Sequence, residues 1–272
     1  MSRKQTYTAI TALLVIGAAT VTFFAVWKNP SSITAELPPM NIILSVDDIG
    51  DGIPAVTTGQ ILQKSGFWLA YNEEFEQADW TAYILTRSMV MTGDEPRSDN
   101  FRADTGVVTG SAIPDDYRGS GYDRGHLVPA ADMKWSPTAM RESFLMSNMS
   151  PQKPGFNRGI WRRLEEKVRD WAVQNDSIFV ITGPGMSGTN EFIGENRVAV
   201  PAYYFKIIVD ISYPTYKGIA FLMENNSATG DLFNYAVTID SIENLTGFNF
   251  FPTQQERYIE YIESNINIHL WE

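Results

Sequence analysis

Tyr122-Asp123-Arg124-Gly125-His126-Leu127-Val128-Pro129-Ala130-Ala131-Asp132-Met133 is the stretch from which the rest of the chain becomes readable. It holds one of the two histidines in 272 residues, placed two positions after an arginine. An imidazole with an ordinary pKa of ~6.5 can take a proton from water at physiological pH, and a neighbouring guanidinium can grip phosphate oxygens as negative charge builds. By itself an Arg-x-His triplet is far more often a surface arginine and a structural histidine in a glycine-containing turn. The downstream residues decide between the two.

Ser147-Asn148-Met149-Ser150-Pro151-Gln152 comes next, and then Phe156-Asn157-Arg158-Gly159-Ile160-Trp161-Arg162-Arg163-Leu164-Glu165. From Asn157 to Gln174 the spacing of Ile160, Leu164, Val168 and Trp171/Ala172 predicts a helix with one buried face. Asn157 then stands at its start, where an asparagine most simply serves as N-cap; on the residue alone that role ranks above a metal role. Further helices are predicted at Thr138 to Met146 and Thr253 to Ser264. Strands are predicted at Gly66 to Tyr71, Trp80 to Met89, Ser177 to Thr182, Tyr203 to Asp210 and Tyr216 to Met223, from their β-branched and aromatic residues and the turn signals between them. Several strands succeed one another without an intervening helix. The fold class is therefore α+β, with an antiparallel sheet and packed helices.

Asp-Arg-Gly-His, Ser-Asn-Met-Ser-Pro-Gln and Phe-Asn-Arg-Gly-x-Trp-x-x-Leu-Glu together resemble the DNA/RNA non-specific endonuclease family of the ββα-metal (His-Me finger) superfamily. Tyr71-Asn72-Glu73-Glu74, Trp80-Thr81-Ala82-Tyr83, the segment from Arg97 to Asp104, Val180-Ile181-Thr182-Gly183-Pro184 and Leu245-Thr246-Gly247-Phe248 resemble further family blocks in the same order. The similarity runs over roughly residues 67 to 252.

The resemblance implies a central antiparallel sheet carrying a ββα-metal catalytic motif, and hydrolysis of DNA and RNA bound through the phosphate backbone, leaving 5′-phosphate and 3′-hydroxyl ends. It implies His126 as general base, Asn157 as the one direct protein ligand of Mg²⁺ (or Mn²⁺), and Asn148 as the residue that fixes the histidine. Arg124 would contact the phosphate and Glu165 would support the metal's water shell. Arg97 matches a further arginine at the transition state, with Arg102 a nearby competitor. Magnesium keeps several waters and is often held by one or two protein groups, so a single asparagine oxygen suffices. Glu165 lies two helical turns past Asn157, about 12 Å at ~1.5 Å per residue, so a contact through water suits it better than direct ligation.

Composition narrows the chemistry independently. With no cysteine and with His269 as the only other histidine, neither a thiolate site nor a three-histidine zinc site can be assembled. A Ser-His-carboxylate triad is not excluded by counting, but there is no Gly-x-Ser-x-Gly turn. Gly183-Pro184-Gly185-Met186-Ser187-Gly188 formally fits a dinucleotide fingerprint and is rejected, because a proline occupies the turn and no helix of useful length comes after it. The formal net charge is −11. Between Asp123 and Asp170, however, nine Lys or Arg stand against six Asp or Glu, a local basic footprint of the kind that backbone-directed binding needs. About half of those cations are expected merely to decorate a solvated helix face.

The chain opens with Ser2-Arg3-Lys4, and then runs charge-free from Tyr7 to Trp27 before Lys28 closes the stretch. At about twenty residues it is long enough to cross a bilayer, and the basic residues before it favour an extracytoplasmic placement of the downstream domain. Residues 1 to 28 are thus expected to be a signal anchor, or a signal peptide if cleaved, which would leave the protein periplasmic or secreted. Residues 29 to 65 read as linker and lead-in with one short strand at Asn41 to Ser45, and 66 to 272 as one domain. The acidic cluster Asp47, Asp48 and Asp51 lacks the other ligands of a calcium loop. Expected partners are nucleic acid, the membrane through the N-terminal segment, and a second copy in a homodimer. Two other functions compete: a catalytically idle module that holds nucleic acid at the cell surface, and a phosphodiesterase acting on small nucleotides.

Overall fold

The computed structural model describes residues 59–186, 188–210, 217–252 and 256–272. The charge-free stretch from Tyr7 to Trp27, the tether after it and its short strand lie outside them. Among the described residues no helix is long and apolar enough to cross a membrane.

In chain order the strands are β1 (Gln60–Gln63), β2 (Trp68–Asn72), β3 (Gln77–Thr86), β4 (Asp123–His126), β5 (Met149–Gln152), β6 (Ser177–Gly185), β7 (Phe192–Ile193), β8 (Val198–Ala199), β9 (Tyr203–Asp210), β10 (Lys217–Glu224) and β11 (Ala236–Val237). The main helices are α1 (Arg87–Thr92), α2 (Pro137–Glu142), α3 (Arg162–Gln174), α4 (Ile239–Thr246) and α5 (Glu256–Ser264). One large sheet runs β1-β2-β3-β6-β9-β10-β11, antiparallel at every junction, so the α+β class holds. Its inner strands are apolar on both faces because both are covered. On one face Leu164, Val168, Trp171 and Ala172 of α3 join a core with Tyr83, Leu85, Val180, Ile208 and Phe221. On the other, Phe250 and Phe251 meet Phe205 and Phe179, while Ile239 and Ile262 close over Gly218. Each large side chain so buried stabilises the fold by roughly 1.5–3 kcal/mol.

The ribbon β4–β5 stands apart from this sheet, with Asp123 opposite Gln152 and His126 opposite Met149. It is pinned to the sheet by Ser150, whose hydroxyl donates to Gln77 Oε1 and lies 2.7 Å from the Tyr204 hydroxyl. From β5 the chain passes straight into helix. Pro154, whose missing N–H costs nothing in a first turn, opens a short helical turn Pro154–Phe156; a wide π-turn Asn157–Trp161 comes next and then α3. Two strands and a helix thus form a ββα unit on one face of the sheet.

Four sequence expectations change in the structure. The strand expected to reach Met89 ends at Thr86, whose hydroxyl accepts from Met89 N and caps α1 instead. The helix expected through Met146 stops at Glu142, since Arg102 takes the Arg141 carbonyl and Asn148 takes that of Ser143. Asn157 is not an N-cap: helical turns begin before it, its backbone is already helical (φ −55°, ψ −49°), and its side chain makes no capping bond. The residues read as lead-in end in β1, a paired edge strand of the sheet. As for the glycine-rich run, Gly183 to Gly185 are the end of β6 in mid-sheet, which leaves no phosphate-cradling loop there.

Candidate active site

His126 is the last residue of β4 and is only 9 % exposed. It packs edge-on against Phe144 (ring centroids 4.9 Å apart) and Phe101 (5.8 Å). The same two rings carry the arginines: Arg97 Cζ lies 4.8 Å from the Phe144 centroid and Arg124 Cζ 5.2 Å from that of Phe101. Two phenylalanines therefore form an apolar floor that gathers a base and two cations. Burial, with the Arg97 charge adding to it, pushes the His126 pKa down to about 3. Its imidazole is consequently neutral, in the proton-accepting form, throughout the physiological range. His126 Nε2 and Arg124 Nε are both buried and have no hydrogen-bond partner among the described residues, while Arg124 Nη2 donates to the Pro114 carbonyl (2.9 Å).

Of the two candidate arginines, the structure brings Arg97 to His126. Arg97 is half-exposed and held by Asp99 at 2.6 Å. Arg102 instead donates to the carbonyls of Asn100 and Arg141, where it supports the loop after α2.

Asn148 is fully buried and does not reach the imidazole. Its Oδ1 accepts from Val128 N (2.9 Å), and its Nδ2 donates to Val128 O (3.0 Å) and Ser143 O (2.9 Å). Its own carbonyl accepts from Leu127 N. It thus clamps the backbone of the two residues after His126.

Asn157 lies at the other end of the ribbon, beside the first residue of β4. Its Nδ2 donates to Asp123 Oδ2 at 2.9 Å, and Arg158 grips the same carboxylate through Nε (2.8 Å) and Nη2. Asn157 Oδ1 accepts no hydrogen bond among the described residues. Glu165, half-buried on α3, belongs to a third group: burial raises its pKa, the nearby Lys206 charge opposes that rise, and Asp132 and Arg169 lie close enough to be felt. Asp132 is fully buried and is held by Arg169 (2.9 Å) and the Tyr83 hydroxyl (2.6 Å). Lys206, also fully buried, donates to Thr182 Oγ1 and sits 4.9 Å from the Trp161 ring.

The donor set fits a hard cation. Asn157 offers an amide oxygen that accepts no hydrogen bond among the described residues, Glu165 a carboxylate one helix segment further on, and the chain has no thiolate. Another three-carboxylate group, Asp240, Glu243 and Glu263, belongs to α4 and α5 on the opposite face of the sheet and shares no residue with this site.

Residue-type spacing did not single out Asp123, Phe101, Phe144 or Gln152. Gln152 explains why a glycine precedes His126. A Cβ at position 125 would run into the Gln152 carboxamide, so a side chain there requires that carboxamide to move. Part of the basic footprint is internally engaged, Arg158 with Asp123 and Arg169 with Asp132.

An antiparallel α+β sheet thus bears a ββα unit with a buried histidine at one end of the ribbon and, at the other, an asparagine whose oxygen accepts no hydrogen bond among the described residues. The chain belongs to the DNA/RNA non-specific endonuclease family, whose model matches residues 49–257, and it is an endonuclease. It is 30 % identical over 249 residues to a nuclease of Nostoc sp., covering 86 % of this chain and 89 % of that one. It is 32 % identical to human mitochondrial endonuclease G, covering 74 % and 72 % respectively. A crystal structure of an EndoG/EndoGI complex superposes with a TM-score of 0.72 at 28 % identity, covering 79 % of this chain and 95 % of that one.

Proposed function

We propose that this endonuclease hydrolyses phosphodiester bonds in both DNA and RNA with a divalent ion, Mg²⁺ or Mn²⁺, held directly by Asn157 and through water by Glu165. The observation that supports it most is the pairing of a neutral, buried His126 with a locked Asn157 amide at opposite ends of one four-residue strand. A water oxygen attacks phosphorus and gives its proton to a His126 ring nitrogen. The bond from phosphorus to the 3′-oxygen breaks, leaving a 5′-phosphate and, after proton uptake, a 3′-hydroxyl. When bound, the ion supplies a Lewis acid that draws charge from the phosphate and the leaving oxygen. Arg97 and Arg124, fixed over the phenylalanine floor, face the charge that grows on the phosphoryl group. Asn148 keeps the base in place by clamping the chain behind it.

The charge-free N-terminal stretch behind Arg3 and Lys4 supports an extracytoplasmic enzyme held at, or released from, a membrane. Fractionation of the full-length protein into membrane and soluble pools checks that placement.

The purified protein is expected to nick plasmid and degrade RNA with Mg²⁺ and to lose both activities in His126→Ala. Arg97→Ala should lower kcat by roughly 10²–10³, the usual loss for one donor to a developing charge, whereas Arg102→Ala stays within a few-fold. Full cleavage by His126→Ala, or a gel shift with no metal-dependent turnover in the unmutated protein, overturns the assignment.

A further inference from the structure

We propose that Asp123 is a positioning residue for the ion site, fixing the Asn157 amide so that its oxygen and not its NH₂ group faces the ion. The inference rests on Asn157 being the ion's protein ligand.

An asparagine carboxamide has two nearly isosteric edges, and rotation about its last torsion exchanges them. A carboxylate only accepts, so the edge turned toward Asp123 must be the NH₂; the reverse orientation sets oxygen against oxygen. In the structure Nδ2 meets Asp123 Oδ2 at 2.9 Å. No other hydrogen bond to the Asn157 side chain is present among the described residues, and its backbone N–H is already used on the Lys153 carbonyl at 2.9 Å. Asp123 alone therefore selects the edge.

The carboxylate that makes the choice is itself anchored. Its side chain is 15 % exposed and both oxygens are engaged by Arg158, which is 71 % exposed and closes the pair from the solvent side. Asp123 is also the first residue of the strand that ends at His126, opposite Gln152. One short strand thus sets the base at one end and orients the ion's ligand at the other. The π-turn makes the juxtaposition possible: Gly159, at φ −103° and ψ −112°, widens the helix just where Asn157 and Arg158 must both reach back to the ribbon.

The test is Mn²⁺ binding to the full chain, read by calorimetry and by the resonance signal of free Mn²⁺, with melting temperature measured alongside. Asp123→Asn removes the accept-only partner and is expected to weaken Mn²⁺ binding about 10–100-fold, the usual effect of losing a hydrogen-bond partner of a metal ligand. Asp123→Ser carries the same expectation and serves if Asp123→Asn does not fold. Arg158→Ala leaves the amide lock in place and should keep the affinity within a few-fold. If Asn157→Ala abolishes Mn²⁺ binding while Asp123→Asn and Asp123→Ser bind as the unmutated protein does, the positioning role is overturned and the ligand assignment stands. An Arg158→Ala loss as large as that of Asp123→Asn also overturns it, because the ion pair and not the amide orientation would then matter. Binding unchanged in Asn157→Ala removes the ligand assignment and this inference with it.

Discussion

The chemistry of His126 is set by what surrounds the ring. The motif marks the histidine as a candidate base, and burial between Phe101 and Phe144 with Arg97 nearby makes it a neutral one. The stability consequence has a definite sign. In the unfolded chain the imidazole titrates near ~6.5 and in the folded one near about 3, so the unfolded state takes up the proton first as pH falls. The histidine's contribution to stability is therefore fully present above ~6.5 and is lost progressively from there down to about 3. The melting temperature of the unmutated protein should fall relative to that of His126→Asn as pH drops from 7 to 4, a window that paired thermal scans can read. The other residue-scale lesson concerns asparagines. Asn148 and Asn157 look alike in sequence, yet the side chain of one bonds to three backbone groups and the oxygen of the other accepts no hydrogen bond among the described residues. Only their partners, twenty and thirty-four residues away, separate the roles.

Among the elements, the ribbon β4–β5 and the helix after it hold the candidate site, and the Gln152 side chain fills the space a Cβ would take at Gly125. Gly125→Ala drives a methyl into the Gln152 carboxamide, which is overpacking against a fully buried side chain and should cost about 1–3 kcal/mol. Gln152→Ala in the same background removes the obstruction and should recover most of that loss in a denaturant titration; no recovery would mean that the glycine is needed for another reason. Element boundaries were where sequence patterns served least well. The period-three-to-four pattern found α3, but it could not show that Pro154 starts the helical path earlier or that a π-turn intervenes, because neither alters the apolar spacing. The strand ending at Thr86 and the helix ending at Glu142 were likewise cut short by side-chain hydrogen bonds that local propensity does not contain.

On the scale of the whole molecule, the sheet is sealed from both sides, and one seal comes from the C-terminal end. Trp271 is 1 % exposed, packs edge-on against Trp171 of α3 and offers its carbonyl to the Trp171 indole N–H at 2.7 Å. Lys217 of β10 donates to the preceding carbonyl of Leu270. This closure lies past the stretch that resembles the family, in a segment without marked periodicity. Trp271→Ala should lower stability by roughly 3–5 kcal/mol in chemical denaturation, the range for truncating a buried aromatic. Because α3 carries Glu165 and continues directly from the turn that holds Asn157, a loosened latch should also raise the Mg²⁺ concentration needed for activity; stability unchanged in the variant would show that the latch holds nothing.

The α+β class, the strand-strand-helix order around the motif and the candidate set His126, Asn157 and Glu165 were all legible in the chain before it is folded. The fold class rests on residue types and on spacings of a few positions, which a linear sequence displays directly; the strand-strand-helix order and the candidate set came through motifs that resemble the family, since no local pattern marks β4 or β5 as strands. Packing was needed to decide which arginine stands by the base, which asparagine keeps a free oxygen, and that Asp123 holds it. Each of those is a contact between segments distant in the chain. Hydrogen-bond partners, and the burial that sets a pKa, are properties of the packed molecule and have no local period to betray them.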